Sequence, residues 1–268
     1  MSRISLLFER LRREDRRGLI AFLTAGDPTP AHTPGLVAAL ERGGADLIEL
    51  GVPFSDPVAD GPMIQRASDR ALAAGTSLAK VLEIAAEIRS RSEIPLLLFS
   101  YMNPLLRYGF DRLATDAVAA GIDGCLITDL SVEEAGATVP RLRAAGLDTV
   151  FLAAPTSPER RLKLVAEYSS GFVYLVSRTG VTGERDKLSD SLTPLVEAMR
   201  RNTNLPLAVG FGISKPEHAA EAGRVADAIV VGSAFVRVIE HFGASPRLEE
   251  ELESLARQLK QPLERVPA

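Results

Sequence analysis

The sequence predicts a (β/α)8 barrel, the TIM-barrel architecture, with an extra N-terminal helix, and all 268 residues fit one domain of this kind. Three observations lead there. Short apolar runs recur along the chain at intervals of roughly 20 to 45 residues, separated by longer stretches of helical period, which is the signature of repeated βα units. Eight such runs are present, and the length is close to the ~250 residues typical of that fold. The glycine-rich turns come late in the chain. The first run instead ends in Ala25-Gly26-Asp27-Pro28-Thr29-Pro30, a proline-stiffened turn, where an open doubly wound sheet would more often carry a dinucleotide loop.

Taken in order, Ile4, Leu7, Phe8 and Leu11 form an apolar stripe at helical spacing before the first run, which predicts a helix packed across the lower end of the barrel. The following Arg12-Arg13-Glu14-Asp15-Arg16-Arg17 mixes both signs of charge and reads as a solvated helix end. The expected strands are Leu19–Thr24, Asp46–Leu50, Pro95–Tyr101, Gly124–Thr128, Thr149–Ala153, Phe172–Val176, Leu207–Gly210 and Ala228–Val231. Between them, stripes such as Leu78, Val81, Leu82, Ala85 and Ile88, or Leu192, Leu195, Val196 and Met199, predict helices facing the sheet. Two further helices are expected over 234–241 and 247–260, then a loose tail with two prolines.

Composition narrows the function. With 46% hydrophobic and 25% charged residues the chain can bury a substantial core, and a net charge of -4 gives no electrostatic case for nucleic acid or an anionic membrane. The single cysteine, Cys125, cannot form an internal disulfide and lies within an expected strand, so a buried thiol is the better reading than a nucleophile. No segment reaches the ~20 apolar residues needed to cross a bilayer, and the N-terminus lacks a signal-peptide pattern. The chain therefore reads as cytoplasmic.

The densest chemical signal runs from Leu47 to Pro62, where an apolar strand opens into a loop stiffened by Pro53, Pro57 and Pro62. Strand alternation places Leu47 and Glu49 on one face and Ile48 and Leu50 on the other, so Glu49 shares a packed face with apolar neighbours. Burial there raises its proton affinity toward the range useful for acid–base work. Asp60, on the loop, is expected in a wetter place, so the two carboxyls can divide acid and base roles. The plainer alternative is a core ion pair for Glu49 and a turn residue for Asp60.

Near the C-terminus, the seventh run leads into Gly210-Phe211-Gly212-Ile213-Ser214 and the eighth into Gly232-Ser233-Ala234 at the start of a helical stretch. Barrels often bind phosphate at this edge, where glycine admits backbone amides and a short helix presents its positive end. Ser233 also suits an N-cap, which explains it without a ligand. The polar, glycine-hinged segment from Ser177 to Lys187 reads as a lid, with Gly183 able to add an amide to the phosphate and Thr182 able to approach the acids; an ordinary exposed loop is the alternative. All five lysines fall on expected helices or loops, and His32, His218 and His241 lie outside the strands without ligand spacing, so neither a strand-end Schiff base nor a metal site is predicted.

These blocks, together with Ile20-Ala21-Phe22-Leu23-Thr24-Ala25-Gly26-Asp27-Pro28, resemble the tryptophan synthase alpha subunit family over nearly the whole chain, most specifically from Leu47 to Gln65. The resemblance implies reversible aldol cleavage of indole-3-glycerol phosphate to indole and glyceraldehyde 3-phosphate, with no metal or organic cofactor in this chain. It implies Glu49 as the acid/base and Asp60 as the ionised group near the indole N–H. Gly183, Gly212, Gly232 and Ser233 would hold the phosphate, with Phe22, Tyr101, Tyr174, Thr182 and Phe211 around the rest of the substrate. Each aromatic could instead be barrel core, Tyr101 and Tyr174 as readily as not. A beta subunit carrying pyridoxal phosphate is the implied partner in an alpha2beta2 complex, facing Phe54 to Pro57, Asn103-Pro104 and the loop after Thr128. Two departures stand out: Ser131 occupies a position where proline is common, and Phe99 is bulkier than expected beside the ring pocket. The rival functions are a stand-alone indole-releasing lyase and a non-catalytic barrel that activates a partner.

Overall fold

The computed structural model describes residues 2–176, 189–210 and 212–264. Nine parallel strand segments occur among them: β1 (Gly18–Thr24), β2 (Leu47–Gly51), β3 (Leu96–Ser100), β4 (Gly124–Ile127), β5 (Asp148–Val150), β6 (Leu152–Ala153), β7 (Val173–Val176), β8 (Leu207–Gly210) and β9 (Ala228–Val231). They form one sheet in the order β5-β4-β3-β2-β1-β9-β8-β7-β6. The barrel expected from the sequence is thus present, with one correction. The fifth run, Thr149–Ala153, is split into β5 and β6 at Phe151. The first piece ladders with β4, Val150 opposite Leu126, and the second with β7, Leu152 opposite Tyr174. Barrel strands are tilted, so one strand changes neighbours along its length, and here that exchange at Phe151 closes the cylinder.

Alternation along each strand sorts two cores. Outward residues such as Leu19, Ile48, Leu98 and Ile229 pack beneath the helices. Inward residues, including Ile20, Leu47, Leu97, Leu126, Val150, Phe172 and Ala208, fill the barrel. The helix Arg3–Arg13 presents Ile4, Leu7, Phe8 and Leu11 to that interior, and Phe8 meets Phe172 at 5.7 Å between ring centroids. It stoppers the lower end, as its stripe predicts. Its basic tail is paired rather than extended toward a ligand: Arg16 contacts Glu14 at 2.9 Å and Glu264 at 2.5 Å.

The expected stripes on helices Leu78–Arg89 and Ser189–Arg200 are buried. The closing helices are Ser233–Phe242 and Leu248–Lys260. The last one is clasped to the barrel floor. Lys260 Nζ donates to Asp46 Oδ2 at 2.7 Å and to the Arg17 carbonyl at 2.9 Å, and Asp46 Oδ2 also accepts from the Leu19 amide at 2.8 Å. Both side chains are under 10% exposed. Removing one partner strands a buried charge, so Lys260→Met is expected to lower stability by about 3–5 kcal/mol in urea unfolding, with Asp46→Asn in the same chain recovering part of the loss. A Lys260→Met midpoint equal to that of the parent would show that the clasp contributes nothing.

Cys125 is buried in β4, and desolvation pushes its thiol up to about 12, which suits packing and not nucleophilic attack. Among the described residues, Lys80 and Lys163 lie on helices, Lys215 immediately precedes one, and His218 and His241 are helical. No described helix is long and apolar enough to cross a membrane.

Candidate active site

The site is assembled at the C-terminal rim of neighbouring strands. On β1, Ile20 faces the interior, so Phe22 two residues on does too, and Phe22 sits opposite Glu49 of β2 in the parallel register. Glu49 is 1% exposed, and its Oε1 has no hydrogen-bond partner among the described residues. Burial alone pushes its carboxyl up to about 8, so at neutral pH it holds its proton. Among the described residues no cation pairs with Glu49, so the alternative of a core ion pair finds no partner there. A buried carboxyl with raised proton affinity in a barrel mouth is suited to give up a proton to a bound group.

Asp60 follows on the loop that leaves β2. Pro62 begins the helix Pro62–Ala73, which holds the loop from behind, and Gln65 Nε2 donates to the Asp60 carbonyl at 2.9 Å. Its surroundings are drier than the wet setting expected from the sequence. Asp60 is half-buried, and desolvation raises it to about 6, while a hydrogen bond from the Tyr101 hydroxyl pulls it back. The cause is Tyr101 itself, buried at the end of β3, whose ring meets Phe54 at 5.3 Å and whose Oη accepts from the Ala59 amide at 3.0 Å. The loop is thereby folded inward over the rim. Glu49 remains the weaker acid of the two, so a protonated and an ionised carboxyl coexist near pH 7.

The remaining aromatics are placed by absence of side chains elsewhere. Tyr174, inward on β7, lies with its hydroxyl under Gly210, where a Cβ would come within 2.1 Å of the Tyr174 oxygen. It is close enough to both carboxylates for Glu49 and Asp60 to raise its proton affinity further, beyond what burial does. Gly51 similarly makes room for Phe22, whose Cζ would lie 2.6 Å from a Cβ there. Phe22 meets Phe99 edge-on at 5.1 Å, and with Met63, Ile64, Ala67 and Val236 they make an apolar wall. Phe99 thus occupies the rim between β1 and β3, where its bulk narrows the mouth.

Next to β1 lies β9, and beside that β8. Gly212 follows β8 with φ of +79°, a backbone state that glycine adopts without strain. Gly232 follows β9 and occupies the cap position of helix Ser233–Phe242, with no side-chain cap. Ser233 is therefore the first helical residue rather than the N-cap. Its exposed side chain and the amides of the first turn face out of the helix's positive end. A Cβ on Gly232 would stand 3.3 Å from Phe22, so the turn abuts the aromatic wall. From β9 to β2 is two strand spacings, about 10 Å, which suits a ligand with an anion at one end and a ring at the other.

Thr182, Gly183, Phe211 and the segment expected to act as a lid lie outside the described residues. Three features escaped the sequence reading. Thr24, inward by the alternation of β1, has a buried hydroxyl with no partner among the described residues. In the sequence Gly210 reads only as part of a glycine turn, although Tyr174 depends on it. Asp27, buried in the turn after β1, is bound by Arg70, which reads in sequence as a surface helix residue.

A closed parallel barrel whose rim gathers two carboxyls of raised proton affinity beside an aromatic wall, with the open start of a helix nearby, has the form of a barrel enzyme. The family profile described as tryptophan synthase alpha chain matches residues 8–264. The chain is 69% identical over 260 residues to the tryptophan synthase alpha chain of Solibacter usitatus, covering 97% of each, and 49% identical to that of Geotalea uraniireducens over the same shares. Among solved structures it resembles the tryptophan synthase alpha chain of Legionella pneumophila with a TM-score of 0.91 at 33% identity, covering 100% of this chain and 99% of that one. It also resembles a chain of the tryptophan synthase complex of Pyrococcus furiosus, with a TM-score of 0.82 at 38% identity, covering 91% and 98%. This chain belongs to the tryptophan synthase alpha chain family, and it is a lyase that cleaves indole-3-glycerol phosphate in tryptophan biosynthesis.

Proposed function

We propose that Glu49 and Asp60 carry out this cleavage, in one barrel domain spanning 1–268, while the turns holding Gly212, Gly232 and Ser233, joined by Gly183, grip the phosphate. The observation that carries the reading is the fully buried Glu49 on the inner face beside Phe22, its Oε1 without a hydrogen-bond partner among the described residues. Its proton goes to C3 of the indole ring. The positive charge that develops on the ring is opposed by ionised Asp60, held inward through the Tyr101 contact. As the bond from C3 to the glycerol chain breaks, its electron pair returns to the ring and restores neutral indole. The adjacent hydroxyl becomes the aldehyde of glyceraldehyde 3-phosphate and gives its proton to the Glu49 carboxylate, which ends as it began.

The protonated ring is the electron sink, so this sequence of steps uses no metal or organic group of this chain. Phe22, Tyr101, Tyr174, Thr182 and Phe211 surround the ring and glycerol chain. Pyridoxal phosphate belongs to a beta subunit, with which this chain forms an alpha2beta2 complex in the cytoplasm. Two exposed apolar side chains support that docking face: Val58, 86% exposed on the Asp60 loop, and Leu106, 58% exposed on helix Met102–Tyr108, which contains Asn103 and Pro104. In the loop after Thr128, Ser131 takes over the stiffening role of a proline by capping the short helix Val132–Ala137 and accepting from the Glu133 amide at 3.4 Å.

The test is to incubate the purified chain with indole-3-glycerol phosphate, with and without a beta subunit, and follow free indole. The chain has no Trp, so indole fluorescence is read against little protein background. Indole release by the chain alone, increased by the partner, is expected. Absence of indole under both conditions would sink the reading.

A further inference from the structure

Behind the site, three elements of the rim are tied by ions. Arg70 on helix Pro62–Ala73 makes a two-pronged contact with Asp27 in the turn after β1, Nε to Oδ1 and Nη2 to Oδ2, both at 2.8 Å. Its third nitrogen, Nη1, reaches Glu240 on helix Ser233–Phe242 at 2.9 Å. Arg66, one turn earlier, grips the same carboxylate with Nε at 2.7 Å and Nη2 at 3.0 Å. Asp27 is fully buried and Glu240 about one-third exposed, so the seam runs from the interior to the surface.

The placement of these ends gives the seam its meaning. Helix Pro62–Ala73 starts two residues after Asp60, and helix Ser233–Phe242 starts at the anion turn. The same helices bury Ala67 and Val236 in one apolar cluster with Phe22. An apolar contact permits sliding along the seam, whereas a guanidinium fork on a carboxylate fixes direction as well as distance. Neither Arg70 nor Glu240 belongs to the aromatic wall or to the acid pair.

We propose that Arg70 and Glu240 are positioning residues that set the distance between the phosphate turn and the Asp60 loop, and so require a substrate to bridge the two ends at once. The inference rests on the reading of the site given above. It has a distinctive consequence. A ligand touching one end only does not sense the spacing; the substrate, touching both, does.

Glu240→Ala separates the two cases, because it frees the phosphate helix while Arg70 stays on Asp27. In the full chain with its beta partner, kcat/KM for indole-3-glycerol phosphate is expected to fall by about 10-fold or more, since small misplacements of bridged groups are costly in rate. Binding of inorganic phosphate and of indole, each measured alone, should stay within about 2-fold of the parent, as neither spans the seam. Glu240→Gln, which keeps an acceptor for both arginines, should recover most of the loss. Unchanged substrate kinetics in Glu240→Ala would overturn the proposal, as would a loss shared equally by phosphate, indole and substrate, the mark of a merely destabilised fold. Glu49→Gln run alongside tests the underlying site separately: its retained turnover would refute the acid–base assignment, and the bridging comparison would still judge the seam.

Discussion

Glu49→Gln is expected to lower the turnover of indole-3-glycerol phosphate by at least ~100-fold, the usual minimum for losing a general acid/base, while substrate binding survives. Glutamine keeps the shape and the two polar ends of the side chain but can neither give nor accept the proton that C3 and the hydroxyl exchange. The pH profile sharpens the test. Asp60 must be ionised and Glu49 protonated, so kcat/KM of the parent should rise as pH passes about 6 and fall as it passes about 8. In Glu49→Gln the upper limb should vanish from the residual activity, and in Asp60→Asn the lower one. Near-parental indole release in the Gln variant, or an upper limb that persists in it, would remove Glu49 from the mechanism.

The second large effect concerns stability and has the opposite sign. Burial lifts Glu49 from an ordinary value of 4.5 to about 8 in the folded chain. Between those two pH values the folded form holds a proton that the unfolded form has released, so folding stability declines as pH climbs through that window. Above it the folded chain must bury an ionised carboxylate. The accumulated cost is on the order of 4 kcal/mol. Glu49→Met, apolar and of similar length, has no proton to lose. It should therefore be more stable than the parent at pH 9 by several kcal/mol beyond any difference at pH 5, measured by urea unfolding at both. A stability gap that does not change with pH would mean that Glu49 is solvated in a way its burial contradicts. The two results together describe a residue kept for chemistry at the expense of the fold.

How far the sequence reached depended on the range of each interaction. The strands were legible because an apolar run between polar helices carries its own boundary, and β8 and β9 begin and end where the residues predict. The inward aim of Glu49 was legible because alternation has a period of two, and Leu47 supplies the phase. The split at Phe151 was not, since an exchange of neighbours follows from the tilt of the closed sheet and leaves no local mark. The alternative of Ser233 as an N-cap misses by one position for a related reason: either Gly232 or Ser233 can cap, and only the backbone decides. Asp60 is expected in a wetter place because it lies on a loop; Tyr101, just past the end of another strand, holds that loop inward. Asp27 and Arg70 are 43 residues apart, and Arg70 and Glu240 are 170 apart, so each reads alone as a turn or a helix surface.

Gly51 and Gly210 lie on two different strands of the rim, and at each the side chain withheld is the one that would collide with Phe22 or Tyr174. The hollow beside the two carboxyls is thus cast like a mould, its outline drawn by vacated volume more than by the groups that line it. Width and chemistry are consequently governed by separate positions. A single methyl at either of these two sites would reshape the aperture with both carboxyls untouched, which makes them the natural handles for redirecting the barrel toward slimmer aromatic substrates.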